Sequence, residues 1–204
     1  TPRAPLTDDR FEHRSVLSGI GRTKIARRQM VDPLSLTVEA CLAAVADAGL
    51  ELSDIDGLST YPGAGLGMGM SEGGVDAVEE ALRLQPTWHN GGMELPGPGG
   101  SLVAAMQAVA AGLCRHVLCF RTVWESTFAT LGLAPPGGGL GGWMQWRAPY
   151  GAMSAANWIG MNANQYLHRY GATRELFGHI AVNGRTNAGR NPAAIYRDPM
   201  TLDD

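Results

Sequence analysis

Pro86-Thr87-Trp88-His89-Asn90-Gly91-Gly92-Met93-Glu94-Leu95-Pro96-Gly97-Pro98-Gly99-Gly100 leads into Ser101-Leu102-Val103-Ala104-Ala105-Met106-Gln107-Ala108-Val109-Ala110-Ala111-Gly112 and then Leu113-Cys114-Arg115-His116-Val117-Leu118-Cys119-Phe120-Arg121-Thr122-Val123. This stretch decides the fold. It reads as a strand (Thr87–Asn90), a Gly/Pro turn (Gly91–Gly100), an alanine-rich helix (Ser101–Ala111) and an apolar strand (His116–Val123). Glycine removes side-chain bulk and tolerates φ > 0, so the turn suits a close backbone approach. A helix N-terminus follows at once, and its unpaired N–H groups can face an anion or an oxyanion. The helix is apolar nearly all round, which places it in the middle of a protein rather than on a surface.

Outward from that stretch, glycine and proline punctuate a series of helices and strands. Residues 1–14 read as a loose polar leader. Ser15–Gly21 is a short apolar strand. Asp32 caps a helix that opens on Pro33, and Leu34, Val38, Cys41, Leu42, Val45 and Ala48 recur at helical spacing until Gly49 ends it. A polar turn then runs into a strand ending near Thr60. Gly63–Gly74 is a Gly/Met loop on which no G-x-G-x-x-G can be laid. Asp76–Leu84 is a short amphipathic helix. The span 124–151 holds Pro135-Pro136, Gly137-Gly138-Gly139 and three tryptophans, and an irregular stretch of that length is functional or an excursion onto a partner. Ala152–Tyr170 reads as the longest helix, and Thr173 caps another running to about Ala188.

Composition narrows the function classes. An apolar fraction of 45% and a charged fraction of 17% over 204 residues describe a folded, well-buried chain. A net charge of −3 gives no reason to expect nucleic acid. No run is apolar enough for a membrane helix. Three cysteines without a C-x-x-C or a secretory signal fit a reducing cytoplasm. Lys24 is the single lysine among 16 basic Lys and Arg side chains, which argues against imine chemistry.

The words Gly99-Gly100-Ser101, Met106 to Gly112 and Arg115-His116-Val117-Leu118-Cys119 resemble the thiolase segment that carries the nucleophilic cysteine. Glu39, Ala48-Gly49-Leu50 and Ile55-Asp56-Gly57-Leu58 are similar to the first helix and second strand of that superfamily. Tyr150-Gly151-Ala152-Met153 and Tyr170-Gly171-Ala172-Thr173-Arg174-Glu175 resemble its later turns. The resemblance implies an α/β fold, the N-terminal half of a layered α/β/α/β/α thiolase-like architecture, with a mixed sheet and buried helices. Residues 15–123 are then the core, 124–151 an excursion loop and 152–204 the helical part of the same domain, with the C-terminal half of the fold missing.

Register with the family puts its cysteine near Leu95, Pro96 or Gly97, and no cysteine stands there. Phe120-Arg121-Thr122-Val123, Trp143 to Gly151 and Asn191-Pro192-Ala193-Ala194 resemble the lipid-transfer-protein or sterol-carrier-type thiolases, and within them the cysteine-less aldolases of steroid side-chain degradation. That implies retro-aldol cleavage of a β-hydroxyacyl-CoA and an OB-fold partner bearing a zinc ribbon. It also implies a homodimer through the Thr87–Asn90 strand, no cofactor beyond the CoA of the substrate, and catalytic acid/base residues in the C-terminal half. Catalytic residues in this chain therefore stay unassigned, and no metal ligand is expected.

Thiolase chemistry needs a thiolate at the helix N-terminus. Retro-aldol cleavage needs a base and donors for the thioester enolate. Gly97, Gly99 and Gly100 are candidate donors, whereas Pro98 has no N–H. Leu95, Pro96, Gly97, Gly99, Tyr150 and Met153 are the expected substrate-binding residues. An acyl-CoA acyltransferase and a non-catalytic acyl-CoA or lipid-binding scaffold are the alternatives. Cys114 and Cys119 read as small core residues.

Overall fold

The computed structural model describes residues 7–64, 69–92, 94–132 and 145–204. Two compact units, Thr1–Pro136 and Gly137–Asp204, divide the chain.

In the first unit, helix α1 (Pro33–Asp47) starts where the sequence says it should. The Asp32 carboxylate accepts from the Ser35 N–H at 2.8 Å, Pro33 occupies the first helical position, and Gly49 closes the end at φ 68°. Strand β1 (Gly57–Thr60) follows, then α2 (Gly74–Leu82), β2 (Trp88–Gly91), α3 (Gly97–Ala110), β3 (Val117–Phe120) and the short α4 (Glu125–Thr130). The sheet is three-stranded in the order β2-β1-β3, with β1 parallel to both neighbours. Asp56 ties the amino ends of the strands together. Its carboxylate accepts from the Arg115 and His116 N–H groups, each at 2.8 Å, and its carbonyl accepts from the Thr87 N–H at 2.8 Å.

Every residue of β1 is buried, as a central parallel strand covered on both faces requires. Leu58, Leu118 and Phe120 pack with Cys41 and Val45 of α1 and with Val75, Val78 and Leu82 of α2. The opposite face carries Ser59, whose hydroxyl donates to the Ser101 carbonyl of α3 at 2.9 Å. Thus α1 and α2 cover one face and α3 the other.

Several expectations change. Ser15–Gly21 is extended but pairs with no strand. It lies instead on α1, where a Cβ on Gly21 would stand 1.9 Å from the Ala40 carbonyl oxygen. Between it and the free edge of β3 runs a groove of about 570 Å3, bordered by Ile20, Ala44, Val45, Leu102, Met106 and Val109. The expected mixed sheet is wholly parallel among the described residues. Helix α3 begins at Gly97 rather than Ser101, because its first turn is built from the glycines and Pro98 of the expected loop. It is also not enclosed: Gly100, Ser101, Ala105 and Ala108 are buried while Val103 is 43% exposed. One sheet face covers only one side of a helix. Trp124 leads into α4 instead of continuous loop, and the expected excursion residues 133–144, with Trp143, lie outside the described residues.

In the second unit, α5 (Ala155–Tyr170) is capped reciprocally by Ser154 and Asn157. Helix α6 (Arg174–Arg190), with Thr173 at its N-cap, is the longest at 17 residues against 16 for α5, which corrects the expected ranking. Neither helix fully buries a residue.

Candidate active site

In open parallel sheets, ligands sit at the carboxyl ends of the strands. At that edge β1 runs into Tyr61, β3 into Arg121, and β2 through Gly91 toward the start of α3. The backbone closes in tightly: a Cβ on Gly63 would lie 3.2 Å from the Gly91 carbonyl carbon. Leu95, Pro96, Gly97 and Gly99 follow β2 at this edge and lead into α3.

The mouth of α3 offers fewer donors than the glycines suggest. A helix cannot pair the N–H groups of its N-cap and first three residues, here Pro96, Gly97, Pro98 and Gly99. Two of these are prolines and have no N–H. The Gly97 N–H is spent on the Leu95 carbonyl at 2.7 Å. Gly100 is the first position that the helical ladder itself pairs. Of the three expected donors, Gly97, Gly99 and Gly100, only Gly99 remains, and its side is open, since a Cβ there would meet nothing within 4 Å.

No thiol waits at that mouth among the described residues. Cys41 is buried in α1, and burial, with Glu72 nearby, pushes its thiol up to about 12. Cys114 is buried in the turn after α3 and its thiol is raised by burial and by Asp56. Cys119 is not the core residue expected: it faces the groove from the edge strand and counts as exposed. Neighbouring side chains still desolvate its sulfur, which, with Cys114 adding, pushes the thiol up to about 11. A nucleophilic thiol needs the opposite shift.

The sequence reading missed two charged side chains at this edge, Arg121 and Glu72. The Arg121 guanidinium stacks over the Tyr61 ring, 5.3 Å from its centroid, and reaches the Met70 sulfur at 3.8 Å. Glu72 lies behind them, with burial holding its carboxyl above the usual range against the pull of its own N–H and those of Thr122 and Gly74. Trp124 fixes the loop that carries Met70 and Glu72, donating from its backbone to Gly69 at 2.7 Å and from its indole to Ser71 at 2.9 Å. A signal for Arg121 existed: it continues the alternation of Val117 and Cys119 one step past an apolar strand.

Tyr150 and Met153 belong to the second unit, 86% and 47% exposed; Tyr150 ends a short 3-10 turn. Among the described residues no group of three or more His, Cys, Asp or Glu side chains could hold a metal ion, and no helix is long and apolar enough to cross a membrane.

No family model matches the chain. It is 35% identical over 196 residues to a steroid side-chain-cleaving aldolase of Thermomonospora curvata, an alignment that covers 93% of this chain and 49% of that one. The chain is similar to steroid side-chain aldolases. A 17-hydroxy-3-oxo-4-pregnene-20-carboxyl-CoA lyase of Mycobacterium tuberculosis is 30% identical over 201 residues, covering 93% of this chain and 50% of the lyase. Among solved structures, an Ltp2-ChsH2(DUF35) aldolase superposes with a TM-score of 0.75 at 34% identity, over 92% of this chain and 47% of that one. The chain thus spans about half the length of the curated relatives it matches.

Proposed function

We propose that this chain contributes to a thiolase-fold aldolase that cleaves a β-hydroxyacyl-CoA of steroid side-chain breakdown by a retro-aldol reaction. The observation that carries the reading is the thiol-free mouth of α3: Leu95, Pro96 and Gly97 stand there, at the position that the resemblance to thiolases gives to the nucleophilic cysteine, and all three thiols of the chain are raised above their ordinary value. Without an acyl-enzyme, C–C cleavage proceeds on the substrate alone. A base takes the β-hydroxyl proton, the Cα–Cβ bond breaks, and its electron pair moves onto the thioester as an enolate. The ketone leaves and a proton returns to Cα. The acid and base lie outside the described residues in this reading. The Gly99 N–H supplies one donor to the enolate oxygen, and Leu95 and Pro96 line the acyl chain.

Relatives named as a lyase of a carboxyl-CoA steroid and as steroid aldolases support the substrate class. The name Ltp2-ChsH2(DUF35) joins two components, which supports a partner protein; an OB-fold with a zinc ribbon is the partner we expect, any zinc residing there. Among the described residues β2 is an edge strand, and such an edge can pair with a second copy to form a homodimer. A cytoplasmic setting agrees with three free thiols. Incubating the full-length protein and its partner with a steroid β-hydroxyacyl-CoA should release a ketone and a shortened acyl-CoA. Release of free CoA with acyl transfer to an added thiol would favour the acyltransferase instead.

A further inference from the structure

The Arg121 guanidinium is a half-buried cation with no counter-ion among the described residues. The one ion pair among the described residues joins Arg14 and Asp9, and Arg121 itself has a single polar contact, the weakly accepting Met70 sulfur. Its Nε is buried without any hydrogen-bond partner. A buried or half-buried charge left uncompensated is unfavourable, and an arginine fork is shaped to hold oxygen acceptors.

Register explains where the cation sits. Ser59 pairs with Cys119 and Thr60 with Phe120, so Tyr61 and Arg121 are the next opposed residues, beyond the last rung. Side chains alternate across a strand. Leu58, Leu118 and Phe120 join the core shared with α1 and α2, whereas Ser59 bonds to Ser101 in α3. Tyr61 and Arg121 share the parity of Ser59 and Cys119 and so fall on the face that α3 covers, at the edge where α3 begins. The stack on Tyr61 holds the guanidinium there. Among the described residues, the N-cap and first turn of α3 carry one free backbone N–H, that of Gly99, and a developing oxyanion is ordinarily met by more than one donor.

We infer that Arg121 is the cationic donor of this site, hydrogen-bonding the thioester oxygen of the bound acyl-CoA as that oxygen takes up negative charge during C–C cleavage. The inference rests on the aldolase reading and adds to it a group in this chain that touches the reacting atoms. Tyr61 acts through it, as a positioning residue that keeps the guanidinium in place.

The test is Arg121→Gln in the full-length protein with its partner, assayed for ketone release and, separately, for binding of the acyl-CoA substrate lacking its β-hydroxyl. The expected result is a fall in kcat of about 10²–10³-fold, the effect of losing one oxyanion donor, with KM and analogue affinity within threefold of wild type. Partial recovery of kcat on adding ethylguanidinium at millimolar concentration is expected as well, which a packing defect would not show. A KM or affinity loss with kcat unchanged would assign Arg121 to a resident anion of CoA and overturn the role; so would a kcat within fivefold of wild type. If Arg121→Gln does not fold, Arg121→Lys keeps the cation and loses the fork. Its kcat should drop at least tenfold at an unchanged melting temperature, and an unchanged kcat overturns the role. No ketone from the wild type would sink the aldolase reading itself, whereas equal ketone from wild type and variant sinks only Arg121.

Discussion

Gly99 gives the sharpest mutational test of the mouth of α3. Position 99 has room, since a Cβ meets nothing within 4 Å, and Gly99 lies in the first turn of α3. Gly99→Ala therefore keeps the N–H and, by replacing glycine in a helix, stabilises it by about 0.5–1 kcal/mol. Gly99→Pro deletes the N–H at a first-turn position that has no intrahelical bond to lose. With Pro96 and Pro98 lacking the group and Gly97 bonded to Leu95, no neighbour can take over. The loss should then be that of one complete oxyanion donor, about 2.7–4 kcal/mol, or roughly 10²–10³ in kcat. The assay is ketone release by the full-length protein with its partner, the two variants compared with each other after circular dichroism confirms equal helix content. Equal kcat for Gly99→Ala and Gly99→Pro would refute the assignment of this backbone group to the site.

Leu58→Ala should be the most damaging core truncation. Leu58 is fully buried in the central strand between α1, α2 and both neighbouring strands, so its cavity cannot collapse and a cost near the upper part of the usual 2.7–5 kcal/mol is expected, read as a lowered urea midpoint at unchanged slope. Glu72→Gln should alter how stability varies with pH. The folded-state carboxyl is raised above the usual 4.5, so the folded protein holds that proton more tightly than the unfolded chain. Wild-type stability therefore falls as pH rises from about 4.5 through the raised value, and stays lower above it. Cys41, the titratable group facing Glu72 from α1, is itself held protonated throughout this range. The wild-type minus Glu72→Gln difference in urea midpoint should decline across pH 4–8, and a flat difference would mean that the carboxyl is not desolvated.

Much of the fold was readable because local chemistry and tertiary need agree. Asp32 and Pro33 start α1, Gly49 stops it, and the apolar words around Leu58 and Leu118 become the paired strands. The Gly/Pro word 91–100 was not legible as a helix start, because glycine and proline argue against helix while the first turn tolerates both. Ser15–Gly21 reads as a short apolar strand, but pairing is a property of two segments, and in the described structure none of its residues joins a sheet. The enclosure of α3 could not be judged from its own composition, since it depends on what packs beyond a single sheet. Arg121 and Glu72 escaped notice for a related reason. Glu72 matters because it is buried and Arg121 because no carboxylate faces it among the described residues, and a sequence shows neither.

The central claim is that bond cleavage here proceeds without a sulfur nucleophile. Mass spectrometry of the full-length protein, acid-quenched during steady turnover with its partner and a steroid β-hydroxyacyl-CoA, tests this most directly. The account predicts an unmodified polypeptide, with Cys41, Cys114 and Cys119 all free, while ketone accumulates. An acyl group on any of these cysteines that forms and clears at the rate of turnover would contradict it.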